Sequence, residues 1–582
     1  MSAARQKRKR SSNSNSSITA SQKTAAARPL RPPLSRRRKW LYRVAVMILA
    51  PVLFFGVLEA GLRLGGYGYP TTFFVGPDAH GTRASNPRFA WRFFPRSLAR
   101  PPNPCFLATE PAGAIRVFVL GSSAAQGVPD PSFSVGRILE VMLRERHPGV
   151  NFEVVNAAMT AMNSHVALEI ARDCAAHQPD LFVVYMGNNE VVGPYGPGSV
   201  FQRWSPSLRL IRASIWLKTT RVGQLLADTM AWLGSRKDSP TVWRGMEMFL
   251  RNPVAADDPR LPVVYDDFRQ NLVDICQVAG RAGARVVLST VAVNLKDCPP
   301  FASQHRSGLS AADLAKWEML YQAGVELEGK EKWREAIAKY EAAAKIDDRF
   351  AELAFRRGRC LAAFDRWKQA REQFVLACDL DALRLRADSR INETIRDVAA
   401  EQKAAGVRFV DAEQSLAKED LAVGGIPGDG LFYEHVHFTF DGNYLLAGAL
   451  LKEVEAALPQ LAVSGKQEPL PSRERCADLL ALTPWDEYQM AEYMKKLTAR
   501  PPFTNQLDHV ARQGLVKKQV AELKRVAGAP QALQMAFAAY EAAMEKTPDD
   551  WPLHYRFGKL AMFCGRYKPA AEHLRIVSKK LS

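Results

Sequence analysis
Residues 115–127 read IRVFVLGSSAAQG. The first six are mostly β-branched or aromatic, and such a run ended by a glycine reads as a strand buried on both faces. Apolar residues then recur at Val135, Ile138, Leu139, Met142 and Leu143, the spacing of one helix face, until Pro148-Gly149 ends it. The same alternation repeats outward. Residues 152–155 predict a second strand, followed by a helix over about 164–176, and residues 181–186 (LFVVYM) predict a third strand. A helix over about 266–280 leads through Ala282-Gly283 into a fourth strand at 285–291. Another helix closes at Ala405-Gly406 before a fifth strand at 407–410, each glycine standing where a helix turns left-handed into a strand. Five apolar strands separated by helices predict an α/β fold with a parallel sheet covered on both faces. Ligands of such sheets bind at the carboxyl ends of the strands.

The residues at those ends carry chemistry. Gly121-Ser122-Ser123-Ala124-Ala125-Gln126-Gly127 follows the first strand, and Asn156-Ala157-Ala158-Met159-Thr160-Ala161 the second. Gly187-Asn188-Asn189-Glu190 follows the third, and Glu434-His435-Val436-His437 lies beyond the fifth. A serine at a strand-to-helix turn is exposed at the sheet edge beside free backbone N–H groups, although a serine after glycine is also an ordinary helix cap.

Together, in this order, the four segments resemble the SGNH (GDSL-like) hydrolase family over roughly 110–300 and 385–460. The resemblance implies a three-layer, flavodoxin-like domain that acts on ester bonds with no cofactor and no metal. It makes Ser123 the nucleophile, His437 the base and Glu434 the acid that orients it. It assigns the oxyanion hole to the N–H groups of Ser123 and Ala161 and the amide of Asn189, with Gly121, Gly127 and Gly187 as supporting motif residues. Three positions depart from the family pattern: Ser122 stands for aspartate, Ala161 for glycine and Glu434 for aspartate. The methyl of Ala161 is expected to narrow the acyl pocket or to exclude a positive φ, and the longer Glu434 arm to need a local backbone shift. His435 is open to reading as a substrate contact or a surface residue, and a His435/His437 metal pair lacks an evident third ligand.

The formal net charge is +19, but residues 1–43 hold 13 Lys and Arg and no acid. The basic character therefore belongs to a tail and argues against a nucleic-acid partner. That tail, 1–38, lacks apolar periodicity and is expected to be disordered and cytoplasmic. A transmembrane helix is expected over 39–65, around the uncharged run VAVMILAPVLFFGVL at 44–58. Arg36-Arg37-Arg38-Lys39 upstream and the Trp40/Tyr42 pair suit a cytoplasmic N-terminus with everything after about Tyr69 outside the membrane. A cleaved signal peptide and a buried helix are the alternatives. Eight cysteines without any CxxC pair predict mostly buried free thiols.

A 34-residue period interrupts the alternation. Gly324, Trp333, Ala336, Tyr340 and Ala343 match Gly358, Trp367, Ala370, Phe374 and Ala377, and similar offsets return at Ala536, Tyr540, Ala543, Gly558, Tyr567, Ala570 and Leu574. Small residues and aromatics at this period resemble tetratricopeptide repeats, stacked helix pairs that carry protein or peptide partners. The expected order is a connector at 66–110 and a first catalytic part at 111–305 with a cap at about 190–262. A repeat insertion follows at 310–385, a second catalytic part at 386–462, a helical linker at 463–515 and terminal repeats at 516–582. The function expected is extracytoplasmic ester hydrolysis on an acylated saccharide or lipid. The alternatives are acyl transfer to a saccharide hydroxyl by the same residues, and an interaction scaffold with a vestigial catalytic fold.

Overall fold
The computed structural model describes residues 35–78, 81–108, 113–201, 207–233, 242–463 and 468–581. Most of the expected basic tail, and parts of the expected cap at 202–206 and 234–241, lie outside these residues. The chain divides into two units, one ending at Gly65 and one beginning at Gly66. The described part of the first unit is a helix, Arg36–Leu64, of 29 residues. It is about 44 Å long at 1.5 Å per residue and apolar enough to cross a membrane, and none of its residues is buried. It starts three residues before the expected span because Ser35 caps it, accepting the N–H of Arg38. Arg36 to Arg38 are therefore helical rather than part of the tail.

The second unit is built on one parallel sheet. Its strands are β1 (Ile115–Gly121), β2 (Phe152–Asn156), β3 (Leu181–Tyr185), β4 (Arg285–Ser289) and β5 (Val407–Val410), in the order β2-β1-β3-β4-β5. Every residue of β1 is buried, as a central strand requires, and Phe118 stacks on Phe182 of β3 at 5.7 Å. Burying such a ring contributes roughly 2–3 kcal/mol. The helix Val135–Arg146 packs beside Phe440–Ala457, while Ser164–Cys174, Leu261–Arg281 and Ser389–Glu401 pack in succession. Right-handed crossovers in opposite directions from β1 put these two groups on opposite faces, giving three layers. The chain leaves β1 for β2 on one side and then crosses to β3 on the other, so the switch of direction, the place where ligands of such sheets bind, lies at β1.

The stretch expected as a connector is folded into this core. Phe74–Val75, Thr82–Ser85 and Phe106–Ala108 form a small antiparallel sheet, and Phe73, Phe89 and Phe93 are at most 1% exposed within the main cluster. These strands have two to four residues, too few for an alternation to register. The expected linker at 463–515 is likewise part of the body, because Cys476, Leu480, Met490 and Phe503 join the same core. All eight cysteines are free, six of them buried.

Between β4 and the layer helix Ser389–Glu401 the chain makes four helices, Ala311–Gly329, Trp333–Ala344, Ala351–Ala362 and Trp367–Asp379, which pack in sequence. Gly324 faces Tyr340 so closely that a Cβ there would stand 2.4 Å from the ring, and Gly358 faces Phe374 in the same way at 2.9 Å. Near the C-terminus Trp551–Phe563 pairs with Tyr567–Leu581, with Gly558 set against Leu574. In all three pairs a residue of left-handed φ turns the chain two positions before the second helix: Glu331, Asp365 and Gly565. Asp381 pins the base of the inserted segment, accepting the N–H groups of Phe301 and Ala302 while Arg386 pairs with its carboxylate.

Candidate active site
Ser123 follows β1 as the first residue of a four-residue helix, Ser123–Gln126, where backbone N–H groups have no partner within the helix. The turn depends on glycine at both ends. A Cβ on Gly121 would stand 2.2 Å from the Tyr185 carbonyl oxygen, and Gly127 has φ 91° with Ser134 packed against it. Ser123 is half-buried, and its Oγ lies 2.8 Å from Nε2 of His437.

His437 comes from a tight loop closed by a bridge between Phe432 and Phe438, whose rings stack at 4.6 Å. Inside the loop Glu434 folds back on its own backbone, and its Oε1 accepts the N–H groups of Val436 (3.2 Å) and His437 (2.8 Å). The same oxygen lies 2.7 Å from Nδ1 of His437, although the ring N–H is not aligned for a hydrogen bond. The other oxygen, Oε2, pairs with Nδ1 of His435. The extra methylene of glutamate is thus taken up by clamping the loop and reaching two imidazoles. His435 is neither a surface residue nor open to substrate: it is 3% exposed and packs edge-on against Phe301 and Phe503. Burial pushes His437 down to about 3, and burial together with neighbouring His437 and Arg386 lowers His435. Both rings are therefore neutral at neutral pH. Glu434, His435 and His437 hold ligand atoms within 4.8 Å of one another, but their partners here are each other and Ser123.

The second and third segments meet beside them. Asn189 donates from Nδ2 to the carbonyl of Met162 at 3.3 Å, one residue past Ala161, and has a second N–H on the same nitrogen. Ala161 has φ 61°, so its methyl does not exclude the left-handed backbone: the chain accepts the strain. For a residue with Cβ that conformation costs roughly 1–2 kcal/mol, while glycine loses about 0.4–1 kcal/mol through unfolded-chain entropy. Ala161→Gly is therefore expected to stabilise the fold slightly, seen as a melting temperature raised by about 1–2 °C. A lowered one would show that the methyl's packing outweighs the strain.

Several residues of the site have roles that the sequence alone does not assign. Asn156 donates to the Ala125 carbonyl at 2.9 Å and accepts the Ala158 N–H at 3.1 Å, tying the second segment to the Ser123 turn. Thr160 donates to Gln126 at 2.6 Å, and Gln126 donates to Asn103 at 2.7 Å. Glu190, next to Asn189, accepts both the N–H and the hydroxyl of Ser164 while burial pushes it up to about 8. Asn156 ends β2 and Glu190 closes the Gly187–Glu190 segment after β3, so both stand in the strand-end segments, and a polar residue there beside apolar neighbours is the signal for them. Phe301 and Phe503 gave none.

Residues 117–450, more than half of the chain, match the family described as GDSL-like Lipase/Acylhydrolase. The chain belongs to that family. No curated protein is similar enough to the sequence to be named as a relative. The match runs from β1 into the helix Phe440–Ala457 and so spans the inserted helices as well as all four site segments. This GDSL-like protein is accordingly an ester-acting enzyme, a hydrolase or acyltransferase.

Proposed function
We propose that this GDSL-like protein is a serine esterase in which Ser123, His437 and Glu434 act as a triad. The observation that carries it is the chain of contacts from Ser123 Oγ to His437 Nε2 at 2.8 Å and from His437 Nδ1 to Glu434 Oε1 at 2.7 Å. Neutral His437 takes the Ser123 proton as Oγ attacks the ester carbonyl carbon. The tetrahedral oxyanion is received by the N–H groups of Ser123 and Ala161 and by the amide of Asn189, each such donor being worth about 3 kcal/mol. Collapse breaks the ester bond, the alcohol leaves with the proton from His437, and water repeats the sequence on the acyl-enzyme. Glu434 stabilises the imidazolium that forms in each half.

The working form of His437 is neutral, so activity falls as pH drops through its pKa. Because burial lowers that pKa, kcat/KM is expected to hold from pH 8 to about 5 on a substrate with no titratable group of its own. An acid limb at or above the free imidazole value of about 6.5 would contradict the dominance of burial.

We further read Arg36–Leu64 as an uncleaved anchor with Arg36-Arg37-Arg38-Lys39 on the cytoplasmic side and the catalytic unit extracytoplasmic, in keeping with the positive-inside rule. The inserted and C-terminal helix pairs, with their glycine–side-chain contacts and left-handed turns, we read as tetratricopeptide-like repeats that hold a protein or peptide partner. The acyl group is expected to come from an acylated saccharide or lipid. Water and a sugar hydroxyl would compete for one acyl-enzyme, so product partitioning with and without oligosaccharide acceptors tests the hydrolytic reading. Free acid should dominate with acceptors present, whereas transfer as the main product would make the protein an acyltransferase.

A further inference from the structure
The helices Leu208–Leu217 and Arg221–Leu233 fall in the stretch expected to form a cap. Their inner side is spoken for. Ile211 and Ile215 are buried in the main core. Gln224 accepts the Tyr69 N–H at 3.0 Å, and Asp228 accepts the Tyr67 hydroxyl at 2.6 Å and a guanidinium N–H of Arg96 at 2.8 Å. Their outer side is apolar: Leu210, Trp216, Leu226, Met230, Trp232 and Leu233 are 49–76% exposed. Positions 226, 230 and 233 share one helix face. An apolar patch of this kind marks an interaction surface.

The course of the chain indicates what covers it. Tyr67 and Tyr69, which hold the second helix, come three and five residues after Leu64, where the apolar helix ends. Three residues of chain span at most about 10 Å, so Tyr67 cannot stray far from the point at which that helix leaves a bilayer. Tryptophan is favoured at headgroup depth, where its ring is half in hydrocarbon and its N–H remains wet. Exposed Arg88 lies over the Trp91 ring that packs on Tyr69, and exposed Arg209 is on the first of these helices; basic side chains beside an apolar face suit anionic headgroups.

We propose that residues 208–233 lie on the bilayer surface as a second, monotopic membrane contact, with Trp216, Met230 and Trp232 entering the headgroup region. This rests on the reading that Arg36–Leu64 crosses the membrane. The two contacts together hold the catalytic unit against the bilayer instead of leaving it to swing on one helix.

The test uses the full chain reconstituted in vesicles of phosphatidylcholine and phosphatidylglycerol. A nitroxide is attached after Ile48→Cys, Leu210→Cys, Met230→Cys or Val510→Cys, with the parent protein as background. The last is the exposed control, since Val510 is 86% exposed. Collision with oxygen and with a water-soluble nickel chelate reports depth. The expected result is oxygen-rich, nickel-shielded labelling at 48. At 210 and 230, nickel accessibility should be at least threefold below that at 510 with oxygen contact retained, and a Trp216→Ser/Trp232→Ser double substitution should reverse it. Label 48 in the bilayer with 210 and 230 as open to nickel as 510 would overturn the surface contact and leave the anchor intact. Labels 210 and 230 shielded from both reagents would mean a protein cover, such as a second copy, and would also overturn it. Label 48 open to water would refute the anchor and this proposal with it.

Discussion

Ser123→Ala is expected to lower kcat for ester turnover by roughly 10⁴–10⁶-fold with KM nearly unchanged, the scale seen when a nucleophile is removed from a preassembled triad. Oγ is the only atom lost. It lies 2.8 Å from Nε2 of His437, and the glycine-bounded turn that holds it does not depend on it, since the nearby constraints are Gly121 against Tyr185 and Gly127 against Ser134. The oxyanion donors proposed here also survive, which sets a floor of residual turnover above water. Steady-state kinetics on a short-chain ester, with a thermal melt to show that the fold is intact, check this. A loss under tenfold would place the nucleophile elsewhere.

The second large effect is expected at Glu434. Glu434→Gln should reduce kcat by roughly 10³–10⁴, by analogy with the loss when a triad carboxylate becomes an amide and the imidazole takes the wrong tautomer. This carboxylate has more to do than orient one ring. It accepts the Val436 and His437 N–H groups, faces His437 Nδ1 at 2.7 Å and pairs with His435. Glu434→Asp restores the family residue but withdraws the carboxylate by about 1.5 Å, one carbon–carbon bond. It cannot then reach both imidazoles and the loop amides, so an intermediate loss, of the order of tens-fold, is expected. If aspartate proved equal to glutamate, the clamp on the loop and His435 would be irrelevant to turnover.

How much of this was legible in the sequence differs from element to element. The sheet was, because β1 to β5 are short apolar runs, each with a glycine at its end or within three residues of it, and such local patterns survive without tertiary knowledge. The partners Ser123 and His437 were legible through the family pattern, since 314 positions separate them and no periodicity links them. The left-handed φ of Ala161 was not, because a residue with Cβ is disfavoured there and only the surrounding loop imposes it. Nor was the role of Phe503, which reaches His435 from a segment that reads as a linker. The small sheet between 74 and 108 was missed because its strands are two to four residues long and pair across loops. The inserted helices were legible from their 34-residue period, and the glycine–aromatic contacts at Gly324 and Gly358 give that period its physical cause.

Ester turnover by the proposed triad depends on Ser123 as a nucleophile activated by His437, and covalent labelling tests that most directly. A fluorophosphonate probe applied to the full-length protein, followed by peptide mass mapping, should place a single adduct on Ser123, with labelling lost in Ser123→Ala and strongly slowed in His437→Ala. No adduct on the folded wild-type protein, or equal labelling of the Ser123→Ala variant, would contradict it.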